Sequence, residues 1–288
     1  MTWLGVSIAL LGALGYALGA ALQQYEAVAD GATLKLVRRP RWWIGGAIGF
    51  AGAALHAVAL SFAPLIVVQP VSVTTLVFAV PVAAWLYGRR PHRLEIVGSI
   101  AVTVGLLGLV LIVPASNTPP SLSDRAAVGF LATVALIVVA CHLIARRLTG
   151  APKAMALAVA AGAVTASVST FVRVVGGGLH GDLSRLLHWF SLAIPVLLVW
   201  AVVLLQKSYA VGYFGVAYAV VQVVDPIVSV LAGVLLLGEP VPTGIGNVIP
   251  ASIAAGVLIA GTVMLGRMAP DRITKDRSAT PPVPVGVP

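Results

Sequence analysis

Residues 213–236 read YFGVAYAVVQVVDPIVSVLAGVLL, an apolar run interrupted by one charged residue, Asp225, and by Pro226 beside it. A helix needs about 20 residues to cross the hydrocarbon core of a bilayer, so this run predicts a transmembrane helix. A carboxylate near the centre of such a helix is unfavourable to insert, and it usually faces a cavity or a polar partner. Asp225 is therefore the first candidate for a functional residue.

The rest of the chain has the same character. Of its 288 residues, 59% are hydrophobic and 9% are charged, whereas a soluble domain carries roughly 25% charged residues. We expect an all-α integral membrane domain at residues 1–268 and a disordered, Pro-rich cytoplasmic tail at 269–288. Hydropathy predicts nine spans, at 2–22, 42–62, 65–87, 94–114, 126–146, 154–175, 189–206, 213–236 and 248–267.

The positive charges predict an orientation. With the N-terminus outside, 15 of the 18 Lys and Arg residues fall on the cytoplasmic side of these spans, where positive charge collects. We therefore expect a multi-pass plasma-membrane protein with its C-terminus in the cytoplasm. The net charge of +9 follows from this bias, so we expect no nucleic-acid partner. The single Cys141 excludes a disulfide framework, and no protease or phosphate-loop motif is present, so we expect neither an enzyme nor a cofactor.

A weak internal duplication predicts two repeats. WLYGRRPHRLEIVG (85–98) and LLLGEPVPTGIGNV (235–248) align Gly88 with Gly238 at an offset of 150. The same offset superposes the first four spans on the last four with inverted direction, which is typical of transporters. We expect repeat one at residues 1–115 and repeat two, with an additional first helix, at 124–268. Small residues predict close helix contacts, at Gly15, Gly19, Gly45, Gly49 and Gly105.

Polar side chains follow one face of the eighth span. Residues three or four apart share a helix face, and here they are Tyr218, Gln222, Asp225 and Ser229. The related face of the third span carries Gln69, Ser72 and Thr75, and His56 on the second span could line the same cavity. Prolines at 70, 81 and 226 free backbone carbonyls, so we expect broken helices around this site, with Asp225 as its only buried carboxylate.

A structural role for Asp225 is the alternative. The carboxylate could instead form an ion pair with a neighbouring helix, for which the candidates are His56, His142 and Arg173. Such a pair would hold the aspartate ionised and would need no cavity. Sequence alone leaves both hypotheses open.

Two stretches carry a resemblance to known families. RRPRWWIGGAIGFAGAALHAVALSFAPLIVVQPVSVTTLVFAVPVAAWLYGRR (38–90) and LLLGEPV (235–241) resemble the drug/metabolite transporter superfamily, with its EamA-like repeats. WWIGG followed by ALSFAPLIVVQPV is similar to the NIPA-type magnesium transporters within it. Ala53 and His56 stand where that type tends to have an acidic residue and an Asn, and Gly88-Arg89-Arg90 replaces its Gly-Glu. The resemblance implies a bundle of two inverted repeats around a central cavity.

The leading hypothesis is a secondary transporter of a small solute that works by alternating access, with Asp225 binding a proton or a cationic group. The first alternative is a magnesium or other divalent-cation transporter, and the second is a non-transporting membrane subunit or lipid-handling scaffold. We expect a small solute or cation and the lipid bilayer as partners, with a homodimer left open. No dedicated metal site is expected from the residue types.

Overall fold

The computed structural model describes residues 2–59, 62, 71, 74–112, 121–178, 187–238 and 245–268. Within these ranges all of the regular secondary structure is helical, and a short 3₁₀ helix, Leu34–Arg38, joins the first two of the nine α-helices described. The α-helices are α1 Thr2–Asp30, α2 Pro40–Ala59, α3 Thr75–Leu86, α4 Arg93–Ile112, α5 Asp124–Arg147, α6 Gly150–Gly178, α7 Trp189–Tyr209, α8 Phe214–Leu237 and α9 Ile245–Gly266.

The helices confirm a multi-pass membrane protein. Among the described residues, six helices are long and apolar enough to cross a bilayer: α1, α5, α6, α7, α8 and α9. Their outer faces carry large apolar side chains, such as Leu136, Val196 and Leu235, which are 70, 69 and 76% exposed. Apolar surface on this scale is unstable in water, so lipid must cover it. That α2, α3 and α4 also cross the bilayer stays a prediction. As described, α3 has only 12 residues.

The first helix extends past its predicted end. Hydropathy places the end of the first span at residue 22, but α1 has 29 residues and ends at Asp30. A helix of that length reaches about 44 Å, well beyond a hydrocarbon core of about 30 Å. Its last turns contain Gln and Glu, which are good helix formers although they are polar. Hydropathy therefore marks where the apolar layer ends, and the helix itself continues.

Glycines bring α1 and α2 into backbone contact. A Cβ atom on Gly19 would lie 2.6 Å from the carbonyl oxygen of Gly45, and one on Gly52 would lie 2.7 Å from that of Gly12. Real Cβ atoms essentially never approach other atoms so closely. In lipid, where no water is expelled between helices, such close packing supplies much of the association energy.

The predicted packing glycines are confirmed with one difference. Gly15, Gly19 and Gly45 lie at the α1–α2 contact, and Gly105 lies against α9. A Cβ on Gly49, by contrast, would meet no atom of the described residues within 4 Å, because it points away from α1. Gly49 is thus close to α1 only through its own backbone.

Helices from the two halves of the chain pack in corresponding ways. In the first half α1 packs against α2 and α3, and in the second half α6 packs against α7 and α8. The two halves meet where α4 packs against α9. Gly88 and Gly238 follow α3 and α8 with φ angles of +67° and +65°, a left-handed backbone that glycine adopts without strain.

The expected break in the eighth span is wrong. The structure has α8 as one continuous helix from Phe214 to Leu237, with Pro226 inside it. The expected break at Pro81 is wrong as well, because α3 continues through it from Thr75 to Leu86. A proline removes one backbone hydrogen bond, and the helix remains because neighbouring helices pack around it. The expected break near residue 70 and the Pro-rich tail at 269–288 lie outside the described residues, as do the predicted site residues Gln69 and Ser72.

Candidate functional site: a carboxylate between two serines

Asp225 lies at the middle of α8, where two hydroxyl groups surround it. Its Oδ1 atom accepts a hydrogen bond of 3.2 Å from the Ser229 hydroxyl, one turn further along the same helix. It accepts a second, longer one of 3.4 Å from the Ser169 hydroxyl of α6. The side chain is partly buried. The carboxylate is thus held by neutral donors in the middle of an apolar helix.

No cation balances this carboxylate in the part of the chain that the structure describes. The ion pairs there are Arg39 with Asp30, Arg89 with Glu95, and His188 with Asp124. The three residues considered as ion-pair partners, His56, His142 and Arg173, make no hydrogen bond or ion pair with Asp225. The geometry therefore gives no support to a structural ion pair within the described ranges.

Ser169 is the site residue that sequence reasoning missed. Four hydroxyl residues lie within six positions of α6, and three of them donate to the carbonyl one turn earlier: Thr165 to Ala161, Ser167 to Ala163 and Thr170 to Ala166. Ser169 alone donates to another helix. A signal was available, because Thr165, Ser169 and Arg173 are spaced four apart and mark a polar stripe on an otherwise apolar helix.

Pro226 adds a further oxygen atom to the same turn of α8. Proline has no N–H, so the carbonyl of Gln222, four residues earlier, lacks its usual helical donor. The turn thus offers carboxylate, hydroxyl and carbonyl oxygens. Oxygen ligands of this kind suit a proton or a hard cation such as Na⁺ or Mg²⁺.

Among the described residues, none of the other predicted side chains forms a hydrogen bond with Asp225. Tyr218 is 7% exposed, and its ring stacks on Phe214 with ring centres 5.4 Å apart, which places it in an aromatic cluster. The side chain of Gln222 makes no hydrogen bond with Asp225. Thr75 is buried at the start of α3, and α3 and α8 are in contact near Val80 and Gly215.

His56 belongs to a different helix interface. It lies on α2, where its backbone nitrogen would be 3.3 Å from a Cβ on Gly12 of α1. Its side chain is partly buried and makes no hydrogen bond or ion pair with Asp225. The structure therefore brings together Asp225, Ser229 and Ser169, and leaves His56 as a residue of the α1–α2 contact.

The expectation that Asp225 is the only buried carboxylate is wrong. Glu26 and Glu95 are 5 and 7% exposed. Glu95 accepts two hydrogen bonds, of 2.7 and 2.8 Å, from the Arg89 guanidinium and a third from the backbone N–H of His92. Hydropathy placed both glutamates at span ends and could not reveal their burial. Glu95 is charge-paired near a helix start, whereas the described partners of Asp225, in the middle of a helix, are both hydroxyls.

A second polar cluster links α1 to later helices. The Tyr87 hydroxyl donates to the side-chain oxygen of Gln24 over 3.0 Å, and the Gln206 amide of α7 donates to that of Gln23 over 3.3 Å. Hydrogen bonds between helices in lipid contribute about 1 kcal/mol each. These side chains are neutral and hydrogen-bond to one another, so we assign them to helix packing.

The helices define a multi-pass membrane protein, and Asp225 lies at the middle of one of its candidate membrane-spanning helices, which fits a transporter. No family model matches the chain, and no solved structure matches it. An uncharacterised protein of Corynebacterium glutamicum is 29% identical over 238 residues, covering 81% of this chain and 82% of that protein.

Two Arabidopsis thaliana proteins are similar over shorter stretches. Probable magnesium transporter NIPA6 is 26% identical over 85 residues, which cover 30% of this chain and 26% of that protein. Probable magnesium transporter NIPA1 is 29% identical over 107 residues, which cover 36% of this chain and 32% of that protein. The similarity to NIPA magnesium transporters is thus partial, and the wider drug/metabolite transporter resemblance stays a prediction.

Proposed function

We propose that this protein is a secondary transporter, not an enzyme, and that it moves a small solute across the membrane by alternating access. The observation that carries the proposal is the position of Asp225, at the centre of a helix long and apolar enough to cross a bilayer and with two serine hydroxyls as its partners. Ionisable residues in such positions usually mark ion pathways or proton relays. Asp225 would bind the coupling proton or a cationic group of the solute.

Serine partners suit a carboxyl group that gains and loses a proton. A hydroxyl is both a donor and an acceptor, so Ser169 and Ser229 can donate to an ionised Asp225 and accept from a protonated one. A lysine or arginine partner could only donate to the ionised aspartate, and its positive charge would hold the aspartate in that state. Both protonation states are therefore supported by hydrogen bonds, which is what a reversible proton carrier needs.

Two inverted repeats, residues 1–115 and 124–268, form part of the proposal. The corresponding packing of α1 with α2 and α3, and of α6 with α7 and α8, supports them. So do the matching left-handed glycines at 88 and 238. Repeats of this kind supply two similar packings that rock against each other around a site near the midplane. Asp225, at the centre of α8, lies where such a site belongs.

Magnesium is the second candidate cargo, and the two NIPA relatives favour it. Within the described residues, no group of three or more His, Cys, Asp or Glu side chains could hold a metal ion. Mg²⁺ loses its water reluctantly and is often held by one or two carboxylates with several waters. A hydrated Mg²⁺ at Asp225, with nearby hydroxyl and carbonyl oxygens, is consistent with that chemistry.

Flux into proteoliposomes tests the proposal and separates the cargoes. The wild-type protein is reconstituted with a magnesium-sensitive dye inside, and uptake is measured with and without an imposed pH gradient. Magnesium uptake above that of empty liposomes selects the second candidate. A solute-dependent proton flux without magnesium uptake selects the first. Neither flux, together with a protein that co-purifies in fixed ratio, would select the membrane subunit or scaffold.

Alanine substitutions at the two serines should slow transport. A hydrogen bond to a charged group contributes about 1.5–3 kcal/mol, so we expect Ser169→Ala or Ser229→Ala to lower flux by roughly ten- to hundredfold. Ser167→Ala is the matched control, because the Ser167 hydroxyl donates to Ala163 within α6. Flux is measured in the same liposomes. An equal loss in Ser167→Ala and Ser169→Ala would contradict a specific role for Ser169.

The proposed orientation in the plasma membrane has its own test. The positive charge bias predicts a C-terminus in the cytoplasm. A fluorescent protein that folds only in the cytoplasm, fused after Pro288, should therefore fluoresce. Activity of a fused alkaline phosphatase, which needs an oxidising compartment, would show that the C-terminus lies outside the cytoplasm and would contradict the proposed orientation.

A further inference from the structure

A cavity of about 500 Å³ lies between the ends of three helices, away from Asp225. Its wall carries His142 and Arg146 from the last turns of α5, Lys153 from the first turn of α6, and Lys207 from the last turn of α7. Leu157 lines it as well. Its volume is in the range of small-molecule sites, roughly 300–1,000 Å³.

The positive charges in this cavity are not balanced. Among the described residues, no Asp or Glu lines it. In the ranges that the structure describes, Arg146, Lys153 and Lys207 form no ion pair and donate no side-chain hydrogen bond. The imidazole of His142 lies in the electric field of both Lys207 and Arg146. Like charges from three helices repel one another unless an anion joins them.

The positive-inside bias does not by itself explain this arrangement. A residue that only marks the cytoplasmic side can extend into water, as Arg90 and Lys35 do. Lys153 and Lys207 are instead partly buried in the wall of one cavity. The cavity also contains Gly150, the first residue of α6, whose backbone N–H has no acceptor within its own helix. The positive end of the α6 dipole points the same way.

We propose that this cavity binds a phosphate group, either from a soluble phosphate compound or from the headgroup of an acidic lipid. Lys153 and Lys207 would act as point charges, Arg146 would offer two parallel N–H donors, and the start of α6 would supply a backbone amide. Basic pockets between membrane helices bind phosphate-bearing headgroups by the same chemistry. The site does not depend on which cargo the transporter carries.

Thermal unfolding of the purified full-length protein in uncharged maltoside micelles tests the site. The probes are inorganic phosphate and dioctanoyl phosphatidic acid, titrated at constant ionic strength. Wild-type protein should be stabilised with a saturable dose response. The double variant Lys153→Gln, Lys207→Gln should bind at least about tenfold more weakly, because each charge-assisted hydrogen bond contributes about 1.5–3 kcal/mol. Lys35→Gln, Arg90→Gln removes the same charge elsewhere and should bind like the wild type.

The outcomes separate the sources. Stabilisation by both probes supports a soluble phosphate compound, and stabilisation by phosphatidic acid alone supports a lipid headgroup. Equal weakening in the two double variants, or no stabilisation of the wild type by either probe, would overturn the proposal. If the Lys153→Gln, Lys207→Gln variant does not fold, it is replaced by Arg146→Gln, a change at an exposed position of the same cavity. This variant should also bind the probes more weakly than the wild type.

Discussion

In proteoliposomes, the Asp225→Asn variant is expected to lose the magnesium or solute-dependent proton flux that a pH gradient drives in the wild type. The remaining flux should equal that of empty liposomes. Asparagine is almost isosteric with aspartate, and its side-chain oxygen can still accept from Ser169 and Ser229. It cannot bind and release a proton or attract a cation. The change therefore removes the proposed function of the site and preserves its shape.

The folded protein should tolerate this substitution. Removing a partly buried charge that has no cationic partner among the described residues relieves desolvation, so the variant should melt at the same temperature as the wild type or above it. Asp124→Asn is the matched control, because Asp124 lies at the start of α5 and accepts a hydrogen bond from the Trp189 indole, which asparagine can also accept. We expect wild-type flux from it. Full flux in Asp225→Asn would contradict the proposal that Asp225 binds the coupling proton. A large loss of stability would instead indicate that Asp225 has a structural role.

The second large effect is expected at the α1–α2 contact, where Gly52→Ala should destabilise the protein by about 3 kcal/mol. The new Cβ would lie 2.7 Å from the Gly12 carbonyl oxygen and 2.8 Å from the Tyr16 backbone nitrogen. Both atoms belong to the backbone of α1, so no side chain can rotate to make room. Overpacking costs typically 1–3 kcal/mol, and a clash with a neighbouring backbone belongs at the upper end.

Gly49→Ala provides the control within the same helix. It adds the same methyl group three residues earlier, where nothing lies within 4 Å. Alanine favours the helix over glycine by about 1 kcal/mol, so this variant should be as stable as the wild type or more stable. Stability is measured by unfolding in mixed micelles. Similar losses in the two variants would mean that general helix effects, and not the close contact, decide the result.

The two halves of the chain meet at a second contact of the same kind. A Cβ on Gly261 of α9 would lie 2.7 Å from the Gly98 carbonyl oxygen of α4. Gly256 of α9 has open space at its Cβ position. Gly261→Ala should therefore destabilise the protein as Gly52→Ala does. Gly256→Ala should leave its stability unchanged or higher, as Gly49→Ala does.

Much of the fold could be predicted from the sequence because lipid imposes one strong rule. Every backbone polar group in hydrocarbon must be satisfied internally, so long apolar runs become helices, and all nine predicted spans correspond to a described helix at least in part. Gly105 could be recognised as a packing residue because glycine allows close helix approach. The C-terminal end of α1 was less predictable, since polar helix formers continue the helix beyond the apolar layer.

The sequence by itself determined that this is a membrane protein of apolar helices, and that Asp225 is the charge in the middle of one of them. Only the tertiary structure decided which hydroxyl faces that charge, that α8 continues through Pro226, and that four basic side chains line one cavity. The physical reason is geometric. Hydropathy and spacing fix the length and the polar face of a helix, whereas the partner of a side chain depends on how each helix is rotated and shifted against its neighbours.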